Sequence, residues 1–364
     1  MKKQWLIFGI LFLGVSWLYS HPITVDGDDS DWIGSPGSEG TLVFSQQEGI
    51  WNDFIGDDVG DGGDALLADD NPSGYTYPLD AQFLGTEADI IEWRVTADPM
   101  TDKIYFLIRV EYDLAWMPFI GICVDLDHIE GSGQTDGGNF SEIQLEPINA
   151  WEYNIAIYNM QVRVLDSGWN TVEGTHENWF STENNLIEVA VDVSSWAPSP
   201  FGTTVYFTVY SGLQDYDNMR SVDYWESNWQ PGGGYDDSVS THDPKVFDLC
   251  FCSQEDQIAD LSNYTNDAPT ILSTTTVGAI NMDVLTIARE NETGKQPPIC
   301  TVYPNPFRDK LHFSIDPNIP YHPEFYNLSG KRLNGSPENF PQGAYFYRIK
   351  TPRGDITGKV MKIK

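Results

Sequence analysis

Short runs of alternating apolar and polar residues, separated by turn residues, recur through the whole central region of this chain. They span 90–95, 103–110, 120–125, 152–158, 161–165, 186–191 and 205–210. Period-two alternation sends successive side chains to opposite faces of a strand, and Gly, Pro, Asn and Asp punctuate the gaps. No sustained helical periodicity competes with this pattern. A 364-residue chain so constrained reads as all-β, built on a large antiparallel β-sandwich. Its acidity would fit a disordered chain, but 13% aromatic content with twelve Trp argues against disorder, because side chains of that size need burial or a ligand.

The ends differ from the middle. Lys2 and Lys3 precede an apolar run over 5–15 and small residues before His21, the layout of a signal peptide over 1–20. The run is shorter than the ~20 residues of a spanning helix, so no transmembrane segment is expected in the mature chain. The sandwich is expected over 21–252. Beyond Cys252 the composition turns to Ser, Thr, Asn and Asp, which predicts a linker over 253–300 with one adherent strand near 277–287. Residues 301–364 alternate again between Gly, Pro and Asn turns and predict a small second β-sandwich.

Charge narrows the partners. The chain holds 20 Lys and Arg against 54 Asp and Glu, and the basic residues gather at its two ends. A strongly acidic centre repels nucleic acid, whose binding depends on Lys and Arg neutralising phosphates. It also disfavours anionic membranes. Neutral glycans and divalent cations remain, although most of these carboxylates simply solvate a surface.

A calcium ion is the more concrete of the two. Hard cations take carboxylate and carbonyl oxygens from turn-rich loops. Asp57, Asp58 and Asp61 stand in a glycine-spaced loop, and Asp26 and Asp28 near the first strand are expected to complete the site. The competing reading is that Asp57 and Asp58 make Asx turns. For Asp125 with Asp127, and for Asp236 with Asp237, turn chemistry is the better reading.

Sugar recognition needs flat aromatic faces beside amides and carboxylates. Trp116, Tyr224, Trp225 and Trp229 fall where loops are expected and are the candidate carbohydrate-binding residues. Trp93, Tyr105, Phe106, Tyr206 and Phe207 lie inside alternating runs and read as core. Catalysis has no comparable support: there is no G-x-S-x-G elbow and no HExxH, and His128, His176 and His242 are scattered as surface residues. So many acids make any glycosidase pair a coincidence. The chain is therefore read as no enzyme. Cys123 reads as a buried thiol. A bond between Cys250 and Cys252 would be strained, so one of them is expected to pair with Cys300.

Two resemblances go beyond these readings. In order, Ile23-Thr24-Val25-Asp26-Gly27 with Asp31-Trp32, Gly56-Asp57-Asp58-Val59-Gly60-Asp61-Gly62, Gly74-Tyr75-Thr76-Tyr77-Pro78, Ala150-Trp151-Glu152-Tyr153 and Asp243-Pro244-Lys245-Val246-Phe247-Asp248-Leu249 resemble the glucodextranase-type DOMON-like domain, a relative of carbohydrate-binding modules of family 9. The resemblance covers roughly 23–249, and it departs from the pattern at 63–73, where an insertion adds Asp64, Asp69 and Asp70. It implies a non-catalytic module for a neutral polysaccharide, an α-glucan first of all, with a structural calcium and with Trp151 as a packing residue. The alternative is a calcium-dependent surface or adhesion protein without sugar affinity. A more remote one is a haem-binding electron-transfer module, for which Met117, Met160 and His128 carry no distinctive spacing. Separately, Tyr303-Pro304-Asn305-Pro306, Leu328-Ser329-Gly330 and the Lys-rich end resemble the C-terminal sorting domain of the type IX secretion system of Bacteroidetes-type bacteria. That implies export across the outer membrane through residues 301–364, with the rest as secreted or cell-surface cargo.

Overall fold

The computed structural model describes residues 22–62, 75–111, 118–223, 226–232, 242–265, 267–285, 301–303, 308, 311–314, 322–327, 331–333, 337–351 and 354–363. The signal-peptide region lies outside them. Two compact units result, one over Ser20–Ala288 and one taking in Arg289–Lys364.

In the larger unit β1 (Thr41–Ser45), β2 (Glu48–Asn52), β3 (Ile90–Asp98) and β4 (Lys103–Val110) form one antiparallel sheet with β9 (Glu177–Ser181) and β10 (Leu186–Asp192), in the order β1-β2-β3-β4-β10-β9. The second sheet contains β5 (Pro118–Asp125), β7 (Tyr153–Tyr158), β8 (Gln161–Asp166), β11 (Thr204–Asp215) and β12 (Asn218–Met219), in the order β12-β11-β5-β7-β8. β13 (Asp248–Leu249) and β15 (Gly278–Asn281) also pair with the long strand β11. β6 (Ile143–Leu145) and β14 (Thr270–Leu272) form a separate parallel pair.

The two sheets enclose a continuous core that includes Trp93, Val95, Ile108, Ile120, Ile122, Ile155 and Val209. Trp93, Phe106 and Phe207 meet ring to ring, with centroids 5.9, 5.5 and 6.0 Å apart. Each such side chain contributes roughly 1.5–3 kcal/mol on burial. Tyr206, expected in the core, is only half-buried, because it points to the other face of β11 and stacks on His128 at 4.0 Å.

The second sheet is buried on both faces. Alternate residues of β5 and β11, Phe119, Cys123 and Tyr210 among them, pack with Trp151, Leu249, Cys252, Leu261 and Leu272 in a further cluster. Every residue of β5 is consequently buried, which explains its near-continuous apolar run. Part of that cover comes from the stretch expected to be linker. It contains α1 (Gln254–Leu261), started by a Ser253 cap that accepts from Asp256 N, and then β14 and β15. The linker reading therefore does not hold as far as Leu285, and the adherent strand is β15. Gln257 is fully buried: its amide donates to Asp57 O at 2.6 Å and accepts from Leu249 N at 2.7 Å. Cys123, Cys250 and Cys252 are free buried thiols. Cys300, the expected partner of one of them, lies outside the described residues. Backbone pairing and Gln257 pin this segment instead.

The amino-terminal Asp26-Gly27…Trp32 segment docks on the outer face of the first sheet. Glu188 of β10 accepts from Asp26 N, Gly27 N and the Trp32 ring N–H at 3.0, 2.6 and 2.8 Å. Beside it, Arg94 of β3 is buried between carboxylates, with Nη1 2.9 Å from Glu48 and with Nε and Nη2 both 3.0 Å from Glu92.

The smaller unit contains a hairpin of β16 (Thr301–Tyr303) and β17 (His312–Ser314). It also has an antiparallel sheet β19-β18-β20-β21 from β18 (His322–Tyr326), β19 (Arg332–Leu333), β20 (Gly343–Thr351) and β21 (Gly354–Lys362). Phe325, Phe340, Tyr345, Tyr347, Ile349 and Val360 form its core. Among the described residues of the chain, no helix is long and apolar enough to cross a membrane.

Candidate functional site

A cleft of about 590 Å³ opens over β8 and the loop before β6, with Arg163 and Asn139 among its lining residues. Its rim carries two aromatic rings, Phe140 and Trp169, which are 63% and 43% exposed. Phe140 lies in the loop that follows Gly137-Gly138, and Trp169 in the turn after β8. Asn139, Phe140, Glu142 and Trp169 all adopt left-handed backbone, with φ of 60, 59, 58 and 64°. Each non-glycine residue held there costs on the order of 1 kcal/mol, a cost that recurs where a loop must aim its side chains.

What holds these residues lies beneath them. Trp151, fully buried, donates its ring N–H to Asp136 O at 2.6 Å and meets Trp169 edge-on at 5.3 Å. Tyr210 donates to Gly137 O at 2.6 Å, and its ring lies against Gly121, where an added Cβ would sit 2.0 Å from the ring. Asn139 is buried. Its amide donates to Asn154 Oδ1 at 3.0 Å, and its oxygen accepts from Arg163 Nη2 at 3.0 Å. Burial pushes the Cys123 thiol nearby up to about 12. The Arg163 guanidinium also lies over the Tyr158 ring, 5.4 Å from its centroid. Gln144, Asp136, Glu142 and Asn218 add polar groups around the cleft. Exposed rings beside amides, carboxylates and one guanidinium can cover the C–H face of a sugar ring and pair with its hydroxyls.

The cleft is not the site expected from the sequence. Trp116, Tyr224 and Trp225 lie outside the described residues. Trp229 is half-exposed, but it stands edge-on to Phe83 at 6.2 Å and does not line the cleft. Trp169 is a lone Trp in a Ser167-Gly168-Trp169-Asn170 turn between two strands, a place that offers no core to fill; that was the available signal.

A second feature is a knot of buried carboxylates. One oxygen from each of Asp57, Asp89 and Asp248 lies within 4.8 Å of the others. Asp53, at the end of β2, and Asp58 are buried as well. Asp89 accepts from Gly56 N and Asp248 from Ile90 N, each at 2.8 Å, and Tyr77 donates to Asp58. One oxygen each of Asp53, Asp57, Asp89 and Asp248 has no hydrogen-bond partner. Burial, with the neighbouring negative charges, raises Asp57 and Asp58 to about 7 and Asp89 to about 8; it puts Asp53 and Asp248 well above the carboxylate range.

Of the five acids expected to bind a cation, the structure brings Asp57 and Asp58 to this knot and sends the other three elsewhere. Asp26 accepts from Asp28 N at 3.0 Å, and Asp28 caps a single helical turn through Ser30 N at 2.9 Å. Asp61 accepts from the Tyr264 hydroxyl at 3.3 Å. Sequence reasoning missed Asp89 and Asp248, which look like ordinary acids at strand ends and meet only in three dimensions. Asp125, Asp127 and Glu152 form another acidic group, but backbone N–H groups of 126–129 and the Ser132 hydroxyl satisfy their oxygens.

Residues 52–276 match the family of the C-terminal, SLH-like binding module of glucodextranase, a span of more than half the chain that includes both features. No curated protein matches the chain.

Proposed function

The chain belongs to the family of C-terminal, SLH-like binding modules of glucodextranase, and on that premise we propose that it is a secreted, non-catalytic carbohydrate-binding protein whose cleft holds a neutral α-glucan. The observation that carries this reading is the exposed Trp169 ring, fixed against Trp151 and set beside Asn139, Gln144 and Arg163. A ring that is exposed and yet braced from behind loses little freedom when a sugar covers it, so more of the contact energy remains as affinity. The uncharged ligand follows from the acidic composition, which repels polyanions.

Affinity electrophoresis of the whole mature chain in gels containing soluble α-glucans, β-glucans or no polysaccharide tests the assignment. Retardation by α-glucan is expected. Retardation by β-glucan alone overturns the ligand class, and no retardation in any gel overturns carbohydrate binding in favour of an adhesion role without sugar affinity.

Residues 301–364 serve in this reading as the export signal read by the type IX machinery, leaving the sandwich at the cell surface or in the medium. The support is the resemblance at Tyr303-Pro304-Asn305-Pro306 and Leu328-Ser329-Gly330, together with the separate compact unit at this end. Deleting 301–364 in a host that has that machinery should trap the protein inside the outer membrane. Unchanged export rejects the idea.

A further inference from the structure

We propose that Arg163 and Asp217 are the specificity-determining pair of the cleft, and that together they grip two adjacent free hydroxyls of one glucosyl residue. The cleft then takes α-1,4- and α-1,6-linked glucans and discriminates against α-1,3-linked ones. This rests on the carbohydrate-binding reading above and narrows its ligand.

Arg163 lies on β8 and Asp217 in the turn between β11 and β12, and both line the cleft. Among the described residues that line it, Arg163 is the one cation. Its guanidinium is held in place from several sides. Nη2 donates to the Asn139 side-chain oxygen at 3.0 Å and to the Asp217 carbonyl at 3.5 Å, while the Tyr158 ring lies beneath. Nη1 stands 3.8 Å from Asp217 Oδ2, which is beyond hydrogen-bond length. Neither of these two atoms has a hydrogen-bond partner among the described residues, since Asn218 donates to the other carboxylate oxygen, Oδ1, at 3.1 Å. The Arg163 and Asp217 side chains are 27% and 59% exposed, so a ligand reaches both.

A charged donor and a charged acceptor set this far apart suit a diol. Adjacent equatorial hydroxyls of a pyranose lie gauche, about one hydrogen-bond length from each other. One accepts from Nη1 and its neighbour donates to Oδ2, so bonds of ~2.9 Å close a ring across a gap that direct pairing leaves open. An exposed ion pair contributes little by itself, and placing a sugar between its members costs correspondingly little. Linkage then follows from which hydroxyls remain. A 1,4-linked glucosyl residue keeps O2 and O3 free, and a 1,6-linked one keeps O2, O3 and O4. An internal 1,3-linked residue keeps O2 and O4 on its ring, which are not adjacent, and leaves one charged group unpaired. Both side chains retain access to water, so the discrimination is about tenfold, at the low end for hydrogen bonds to charged groups.

Calorimetry on the whole mature chain would compare α-1,4-, α-1,6- and α-1,3-linked glucosyl oligosaccharides of equal length, all as methyl glycosides. The last would also be methylated at O3 of its terminal residue, so that no adjacent pair stays free. The first two should bind about tenfold more tightly than the third. Asp217→Ala should remove that difference by weakening only the first two, an outcome that a merely structural role would not produce. Arg163→Met should do the same; if loss of its Asn139 contact unfolds that variant, Asp217→Ala, on an exposed turn, still decides. Equal or tighter binding of the α-1,3-linked ligand by native protein, or a full linkage preference kept in folded Asp217→Ala, overturns the role of the pair and leaves glucan binding in place. Binding of none of the three overturns the carbohydrate reading itself, and this proposal with it.

Discussion

Removing the indole of Trp169 is the sharpest test of the cleft. The residue keeps 43% of its surface exposed. A large aromatic side chain buries ~150–250 Å² when covered, so about 100 Å² remains for a ligand to cover. At ~25 cal/mol per Å² this sets a ceiling near 2.5 kcal/mol, and a sugar that covers only half of it gains about 1.2 kcal/mol. At tenfold per 1.4 kcal/mol, Trp169→Ala should weaken glucan binding by roughly 8- to 60-fold. Calorimetry with a soluble α-glucan oligosaccharide reads the constant directly. Trp169→Phe keeps a flat ring and should recover most of the affinity. Trp229→Ala, outside the cleft, should leave it unchanged. The thermal midpoint of Trp169→Ala should stay close to native, because the exposed part of the ring contributes little to folding. Native-like affinity in a folded Trp169→Ala protein refutes the reasoning, and abolition by Trp229→Ala relocates the site.

Other consequences follow from the scaffold. Arg94→Met leaves Glu48 and Glu92 buried without the cation that bridges them; denaturant unfolding should register a loss of ~3–5 kcal/mol, and a loss below 1 kcal/mol would show that the pair is not needed. Gly121→Ala places a carbon against the Tyr210 ring, so about 1–3 kcal/mol of stability should go, and glucan affinity with it through the Gly137 loop; unaltered affinity in a folded variant would separate that loop from the site. Asp192 is held below the usual carboxylate range by hydrogen bonds from Ser194 and Thr175. A depressed folded-state value stabilises above the unfolded value near ~4 and is lost as pH falls through the lower one. Asp192→Asn should therefore unfold more easily than native protein at neutral pH, with the gap closing in acid; a gap that persists to the lowest pH would contradict this.

Legibility along the chain followed burial. β3, β4, β5, β7, β8, β10 and β11 stand out in the sequence because their apolar positions face a core on at least one side. β1 and β9 do not, since half-exposed strands such as Glu177-Asn178-Trp179 lack a clean alternation. The helix α1 was missed for a different reason: its central buried residue is a polar one, Gln257, whose role depends on carbonyls of Asp57 and Phe247 far away in sequence. Asp57 and Asp58 were visible through their glycine spacing, whereas Asp53, Asp89 and Asp248 look like any acid beside a strand. In the cleft, Trp151 was rightly assigned to packing. What it supports, Trp169, was overlooked, because a single ring in a turn gains meaning only from its neighbour across the fold.

The second sheet is covered on its outer face, and the cleft is carved into that cover: the stretch from Asp136 to Gln144, the turn bearing Trp169, and Asn218. Substitutions there would reshape the cleft without touching the interior that Trp93 and Phe207 fill. On the proposed carbohydrate-binding reading, an engineer seeking a new glycan could randomise the rim while leaving the inter-sheet filling alone.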